Sequence, residues 1–141
     1  MSALSIAQYV EQAQRDPSTE HLEALWRAVF LRHAWHFLPS TNSGAATPLV
    51  APIDGGHWIL AFTSPRPLKA FARQQGRLND DGSAPILSLT PLEAMNHILD
   101  VQDHIQGVIF NLGQEATFRA PTHALESYAR HFNVPLDEGL S

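Results

Sequence analysis

The stretch from His57 to Gly76, HWILAFTSPRPLKAFARQQG, constrains the fold more than any other part of the chain. Its first part, Trp58 to Phe62, is an unbroken apolar run with the length of a strand buried on both faces. Thr63-Ser64-Pro65 follows at once, and a proline directly after a hydroxyl residue marks a helix start. From there Leu68, Phe71 and Ala72 fall on one side at helical spacing, with cations on the other. A buried strand feeding directly into an amphipathic helix requires a sheet with a helix packed on it, which points to an α/β (α+β) fold.

The rest of the chain extends this pattern. Four helices are expected to open at or next to a proline, at Asp16-Pro17, Ser64-Pro65, Thr90-Pro91 and Ala120-Pro121. Proline suits the first turn because its missing N–H would have no intrahelical partner there. Asp16, Ser64 and Thr90 are the expected caps, and Thr90-Pro91-Leu92-Glu93 fits the capping box. A further helix is expected from about Ser5 to Gln14, within an N-terminal helical segment 1–16. Strand-length runs lie at Trp35 to Leu38, Leu49 to Ile53, Trp58 to Phe62, Ile86 to Leu89, Val108 to Asn111 and Thr117 to Arg119. Asp54-Gly55-Gly56 is a hairpin turn, and Gly113 marks another. The order is α, α, β, β, β, α, β, α, β, β, α: one domain over 1–141, with a mixed sheet of five to six strands flanked by helices. The polar, glycine-containing segment 39–48 reads as a mobile surface loop, and 135–141 as a frayed tail.

Composition narrows the function classes. The 141 residues carry 44% hydrophobic and 16% charged side chains, enough for a core and too little charge for a disordered chain. A net charge of −5 argues against a general nucleic-acid binder. There is no cysteine, so disulfides, thiolate metal sites and a cysteine nucleophile are excluded. No apolar stretch nears the roughly 18 to 20 residues of a membrane span, and the first residues lack the pattern of a secretory signal. The expectation is a soluble, cytoplasmic protein with no cofactor, no nucleic-acid partner and no membrane partner.

Asp54-Gly55, then Trp58-Ile59-Leu60-Ala61-Phe62-Thr63-Ser64 leading into a helix, resembles the N-terminal domain of the SseB (enhanced serine sensitivity) proteins. That domain has an apolar strand ending in Phe-Thr-Ser, a helix, a short strand, a second helix and a strand closing on Asn-Pro-Gly. Here the last element is Val108-Ile109-Phe110-Asn111-Leu112-Gly113, with Leu112 in place of the proline. The likeness runs over about 22–125 by element order. It implies a bacterial, cytoplasmic, non-catalytic domain associated with secretion or stress, and it supplies no catalytic residue. The second domain of longer members has no counterpart in these 141 residues.

Arg66, Lys69, Arg73 and Arg77 lie on one side of the helix after Ser64 and hold four of the nine cations of the chain. No acid follows on that helix to pair with them. The leading expectation is a non-enzymatic module that docks an acidic protein partner through these four residues, with Trp58, next to the glycine turn, as the aromatic contact. A solvated face is the competing explanation. A third is pairing with Glu93, Asp100 and Asp103 on the next helix, within one molecule or across a homodimer. The alternative function is a small-ligand or anion sensor at the strand-to-helix junction, formed by Thr63 and Ser64 with Asn111 nearby.

Eight histidines is a high count for this length. His97, Asp100 and His104 have the spacing to share one helix face and to ligate a divalent metal, against the simpler reading of a solvated face. His33 and His36 lie near a helix-to-strand junction. A metal-dependent enzyme is the third hypothesis. It is disfavoured because the chain has no Gly-x-Ser-x-Gly, no phosphate-cradling Gly-x-x-x-x-Gly-Lys and no His-Glu-x-x-His. Ser64 has no sequence-local base to make it a nucleophile. The expected site therefore contains neither a catalytic residue nor a bound metal.

Overall fold

The computed structural model describes residues 5–40, 47–114, 117–132 and 134. The helices among them are α1 (Ile6–Arg15), α2 (Thr19–Phe30), α3 (Pro65–Gln74), α4 (Pro91–Asp100) and α5 (Thr122–His131). The strands are β1 (Trp35–Phe37), β2 (Pro39–Ser40), β3 (Thr47–Pro48), β4 (Val50–Ile53), β5 (Gly56–Phe62), β6 (Leu87–Leu89), β7 (Gly107–Phe110) and β8 (Phe118–Pro121). A short 3-10 turn, Gln102–His104, follows α4. The element order is the one expected from the sequence except for the added short strands β2 and β3, and the fold is a mixed α/β domain with a six-stranded sheet.

The sheet runs β6-β1-β5-β7-β8, with β4 alongside β5. Strand β5 is its centre. One edge pairs in parallel with β7, Ile59 opposite Val108 and Ala61 opposite Phe110. The other edge is shared, with β4 on the first four residues of β5 and β1 on its last two. All other pairings are antiparallel. Asp54 (φ 52°) and Gly55 (φ 82°) form the two-residue turn between β4 and β5. Two positive φ values are what such a hairpin turn needs to match strand twist, hence Asp-Gly.

Period-2 alternation along β5 and β7 divides the core. Ile59, Ala61, Val108 and Phe110 face one side with Val10, Leu25, Trp26, Val29, Met95, Ile98 and Leu125, so α1, α2, α4 and α5 cover that face. Leu60, Phe62 and Ile109 face the other side, where Leu68, Phe71 and Ala72 of α3 cover them. Helices α3 and α4 therefore lie on opposite faces of the sheet. This overturns the pairing of the α3 cations with Glu93, Asp100 and Asp103 within one molecule. Glu93 is engaged instead in the expected capping box: its Oε1 accepts from the Thr90 N–H (2.9 Å), while Thr90 Oγ1 accepts from the Glu93 N–H (3.1 Å).

Several boundaries differ from expectation, each for a local reason. Helix α2 is capped by Ser18, whose Oγ accepts from the His21 N–H at 3.2 Å, and not by Asp16. Pro121 ends β8 and caps α5 from outside, and the Thr122 N–H donates to the Gln106 carbonyl at 3.1 Å. The ends of segment 39–48, expected as loop, are paired strands, Pro39 opposite Pro48 and Ser40 opposite Thr47. Residues 41–46 and 135–141 lie outside the described residues. Among the described residues no helix is long and apolar enough to cross a membrane.

Candidate functional site

The parallel strands β5 and β7 end side by side, and the chain then diverges. After β5 it enters α3 on one face; after β7 it returns through β8 to α5 on the other. Such a divergence leaves a crevice beyond the carboxyl ends of the strands, the usual place for ligands in open α/β sheets. Here the crevice is a cleft of ≈ 980 Å³. Helices α1 and α2 form one wall and the first turns of α3 the other, with Thr63, Ser64, Asn111 and Gln114 as the floor. The room comes from small side chains, Ala7, Ala24, Ala28 and Ala70. Larger apolar surface comes from Ile6, Tyr9 and Leu31, the last 76% exposed.

Thr63 and Asn111, 48 positions apart, lock the floor. The Thr63 N–H donates to Asn111 Oδ1 at 3.0 Å, and Asn111 Nδ2 donates to Thr63 Oγ1 at 3.1 Å. Both residues are 5% exposed. Asn111 adopts φ 58°, a conformation that Asn tolerates better than most residues. Its own N–H donates to the Ala61 carbonyl at 2.8 Å, which extends the parallel ladder by one bond.

Ser64 behaves differently from expectation. It occupies the cap position of α3, but its side chain makes no capping bond. Pro65 and Pro67 remove two first-turn amides, so the Arg66 N–H is what remains for a cap or an anion. The exposed amides expected at this helix start are thus largely absent. Ser64 lines the cleft, with its hydroxyl free of a capping bond.

The polar rim is cationic. Arg27, Arg32 and Arg66 line the cleft, and among the described residues no Asp or Glu does. Arg27 is compensated: its Nη2 lies 2.8 Å from Glu23 and its guanidinium 5.5 Å from the Phe132 ring. Arg32 and Arg66 have no ion-pair partner among the described residues. Of the four stripe residues, all are exposed, but only Arg66 reaches the cleft; Lys69, Arg73 and Arg77 do not line it. Trp58 lies at the opposite end of β5, half-buried, with the Arg119 guanidinium 5.1 Å above its ring. Arg119 also pairs with Asp54 at 3.2 Å, so the aromatic face of Trp58 has an occupant already.

Sequence reasoning missed Arg27, Arg32 and Gln114. A signal existed in α2: Ala24, Ala28 and Leu31 form an apolar stripe beside the core residues Leu25, Trp26, Val29 and Phe30. It also missed a serine–histidine pair. His36 and Ser88 are direct cross-strand neighbours, with Nδ1 and Oγ hydrogen-bonded at 2.7 Å. Burial first, and the Arg32 charge second, hold His36 below its ordinary value. Neither residue lines the cleft, and among the described residues no carboxylate bonds to His36 to orient it, so the pair lacks the rest of a nucleophilic site.

The spacing of His97, Asp100 and His104 does not bring the three together on one helix face: His97 and Asp100 belong to α4, but His104 sits in the 3-10 turn beyond it. Among the described residues no group of three His, Asp or Glu side chains could hold a metal. Burial lowers the pKa of His97 from 6.5, partly opposed by Asp100. The unfolded chain therefore binds more protons than the folded one just below that value, and stability falls as the pH drops through this window. Thermal melts from pH 7.5 to 5 are expected to show a falling Tm, and His97→Gln is expected to reduce that fall. A wild-type Tm that rises on acidification would contradict this placement of His97.

No family model matches this chain, and neither do any curated proteins or solved structures.

Proposed function

We propose that this domain is a non-catalytic binding module for a small anionic ligand, held in the cleft at the ends of β5 and β7. One observation carries the reading. A cleft of ≈ 980 Å³, the size of a small-molecule site, is lined by three arginines and, among the described residues, no acid, above a hydrogen-bonded Thr63–Asn111 floor. The guanidinium groups would bind carboxylate or phosphate oxygens in a bidentate manner. The hydroxyls of Thr63 and Ser64 would complete the polar contacts, and Ile6, Tyr9 and Leu31 would cover an apolar part. Membership of the SseB family, with its bacterial and cytoplasmic setting, belongs to the same proposal and rests on the motifs quoted above and on the element order.

A second reading, docking of an acidic protein partner, is favoured by the exposure of Arg66, Lys69, Arg73 and Arg77 without ion-pair partners among the described residues. The two separate experimentally because only Arg66 lines the cleft. Phenyl phosphate, phenyl sulfate and benzoate, with benzamide as the neutral analogue, are the probes. At least one anion is expected to raise Tm saturably, as a ligand of the folded state must. Arg66→Glu is expected to remove the shift, and Lys69→Glu with Arg73→Glu to leave it. If no anion shifts Tm and the double variant instead loses a protein partner, the docking reading replaces the ligand reading.

A further inference from the structure

We infer that the cleft selects a dianionic head, specifically a phosphate monoester attached to an apolar or aromatic body, over monoanions of the same shape. This rests on the anion-binding reading above and goes beyond it by counting charge. Three guanidinium groups line the cleft, but their charges are not equal in effect. Arg27 is neutralised by Glu23 at 2.8 Å, and its guanidinium is drawn toward the Phe132 ring at 5.5 Å. Arg32 and Arg66 carry uncompensated charges among the described residues. The charge of Arg32 also acts on His36, where it adds to burial in disfavouring the protonated ring. Two free positive charges from two different walls, α3 and the end of α2, complement a head with charge near −2. A phosphate monoester carries about that charge at neutral pH, whereas a carboxylate or sulfate ester carries one negative charge.

The placement of the lining donors on different sides of the cleft suits a head with several terminal oxygens. Donors would approach from Arg32 on one wall, from Arg66 on the other, and from Ser64 on the floor, where Pro65 and Pro67 leave its hydroxyl without a capping bond. A planar carboxylate is satisfied by a single guanidinium fork, whereas a phosphate offers three terminal oxygens and can take all three donors at once. The walls supply apolar surface and room: Tyr9 and Leu31 provide the large surfaces and Ala24, Ala28 and Ala70 the space. These walls fit a ligand body with an apolar or aromatic part.

The test compares phenyl phosphate with phenyl sulfate, which has nearly the same shape and one charge fewer, by calorimetry at pH 7.5 on the whole chain. Phenyl phosphate is expected to bind about 10-fold or more tightly, the effect of one additional charge-assisted interaction. Arg32→Gln, an exposed substitution that leaves the core untouched, is expected to reduce this ratio to near one while phenyl sulfate still binds. Equal affinities of the wild type for both probes, or a ratio unchanged by Arg32→Gln, overturn the dianion inference and leave the anion-binding reading standing. Binding of benzoate but of neither ester has the same meaning. If none of the three anions binds, both readings fall.

Discussion

Replacing Gly107 with alanine is expected to destabilise this domain by about 3 kcal/mol or more, or to prevent folding altogether. Gly107 opens β7, the strand that holds the parallel pairing of the sheet, and is itself paired on both sides, with Trp58 of β5 and Pro121 of β8. A Cβ at this position would lie 2.1 Å from the Ala120 carbonyl oxygen and 2.7 Å from Pro121 Cα. Both are backbone atoms, so no rotamer change relieves the contact; β8 would have to move away from β7. The start of α5 would move with it, because the Thr122 N–H is anchored to the Gln106 carbonyl beside Gly107. Gly56 provides the contrast. Its added Cβ would meet the Gln106 side chain, 2.4 Å from Cγ, which can swing aside. Gly56→Ala is expected to cost about 1 kcal/mol, at the mild end of overpacking. Denaturant melts of both variants check the order. Equal stability of wild type and Gly107→Ala would show that β7 and β8 are not packed as described.

Much of this frame is legible in local chemistry. Pro65, Pro91 and the Asp54-Gly55 turn act through their own backbones, so their positions follow from a few adjacent residues. The apolar run Trp58–Phe62 announces a strand buried on both faces, and it becomes β5, the centre of the sheet. The failures are equally physical. Asp16 and Ser18 both suit a helix cap, and which one serves depends on where α2 must sit to bury Leu25, Trp26, Val29 and Phe30. The proposed ion pairs between α3 and α4 required the two helices to share a face, which periodicity within each helix cannot decide. The cleft is harder still, since α1, α2 and α3 reach it from opposite faces of the sheet. Of its lining, the sequence suggested Thr63, Ser64, Asn111 and Arg66. Arg27 and Arg32 were out of reach because their relation to β5 is set by tertiary packing alone.

Asn111 is where fold and proposed function meet, and substitutions there should separate them. Asn111→Ala is expected to cost about 3 kcal/mol. One part is the buried Thr63 N–H left without an acceptor, about 1–3 kcal/mol. The other is an alanine side chain forced into a left-handed conformation at φ 58°, about 1–2 kcal/mol. Asn111→Asp is expected to behave in the opposite way. A carboxylate still accepts from the Thr63 N–H, aspartate tolerates the same backbone, and the Thr63 hydroxyl can turn to donate to the second oxygen. The lost Nδ2 donor is thereby replaced within the pair, and the new charge sits beneath a rim bearing Arg32 and Arg66. The fold should survive, but the cleft now carries its own anion. Affinity for phenyl phosphate is expected to fall about 10-fold or more through like-charge repulsion. Parallel denaturation and calorimetry on the two variants give the decisive comparison. Loss of stability in Asn111→Ala with loss of binding in Asn111→Asp assigns the Thr63–Asn111 pair to both roles. Undiminished anion affinity in a folded Asn111→Asp would place the ligand elsewhere, because a buried carboxylate on the cleft floor cannot be electrostatically silent to an anion bound above it.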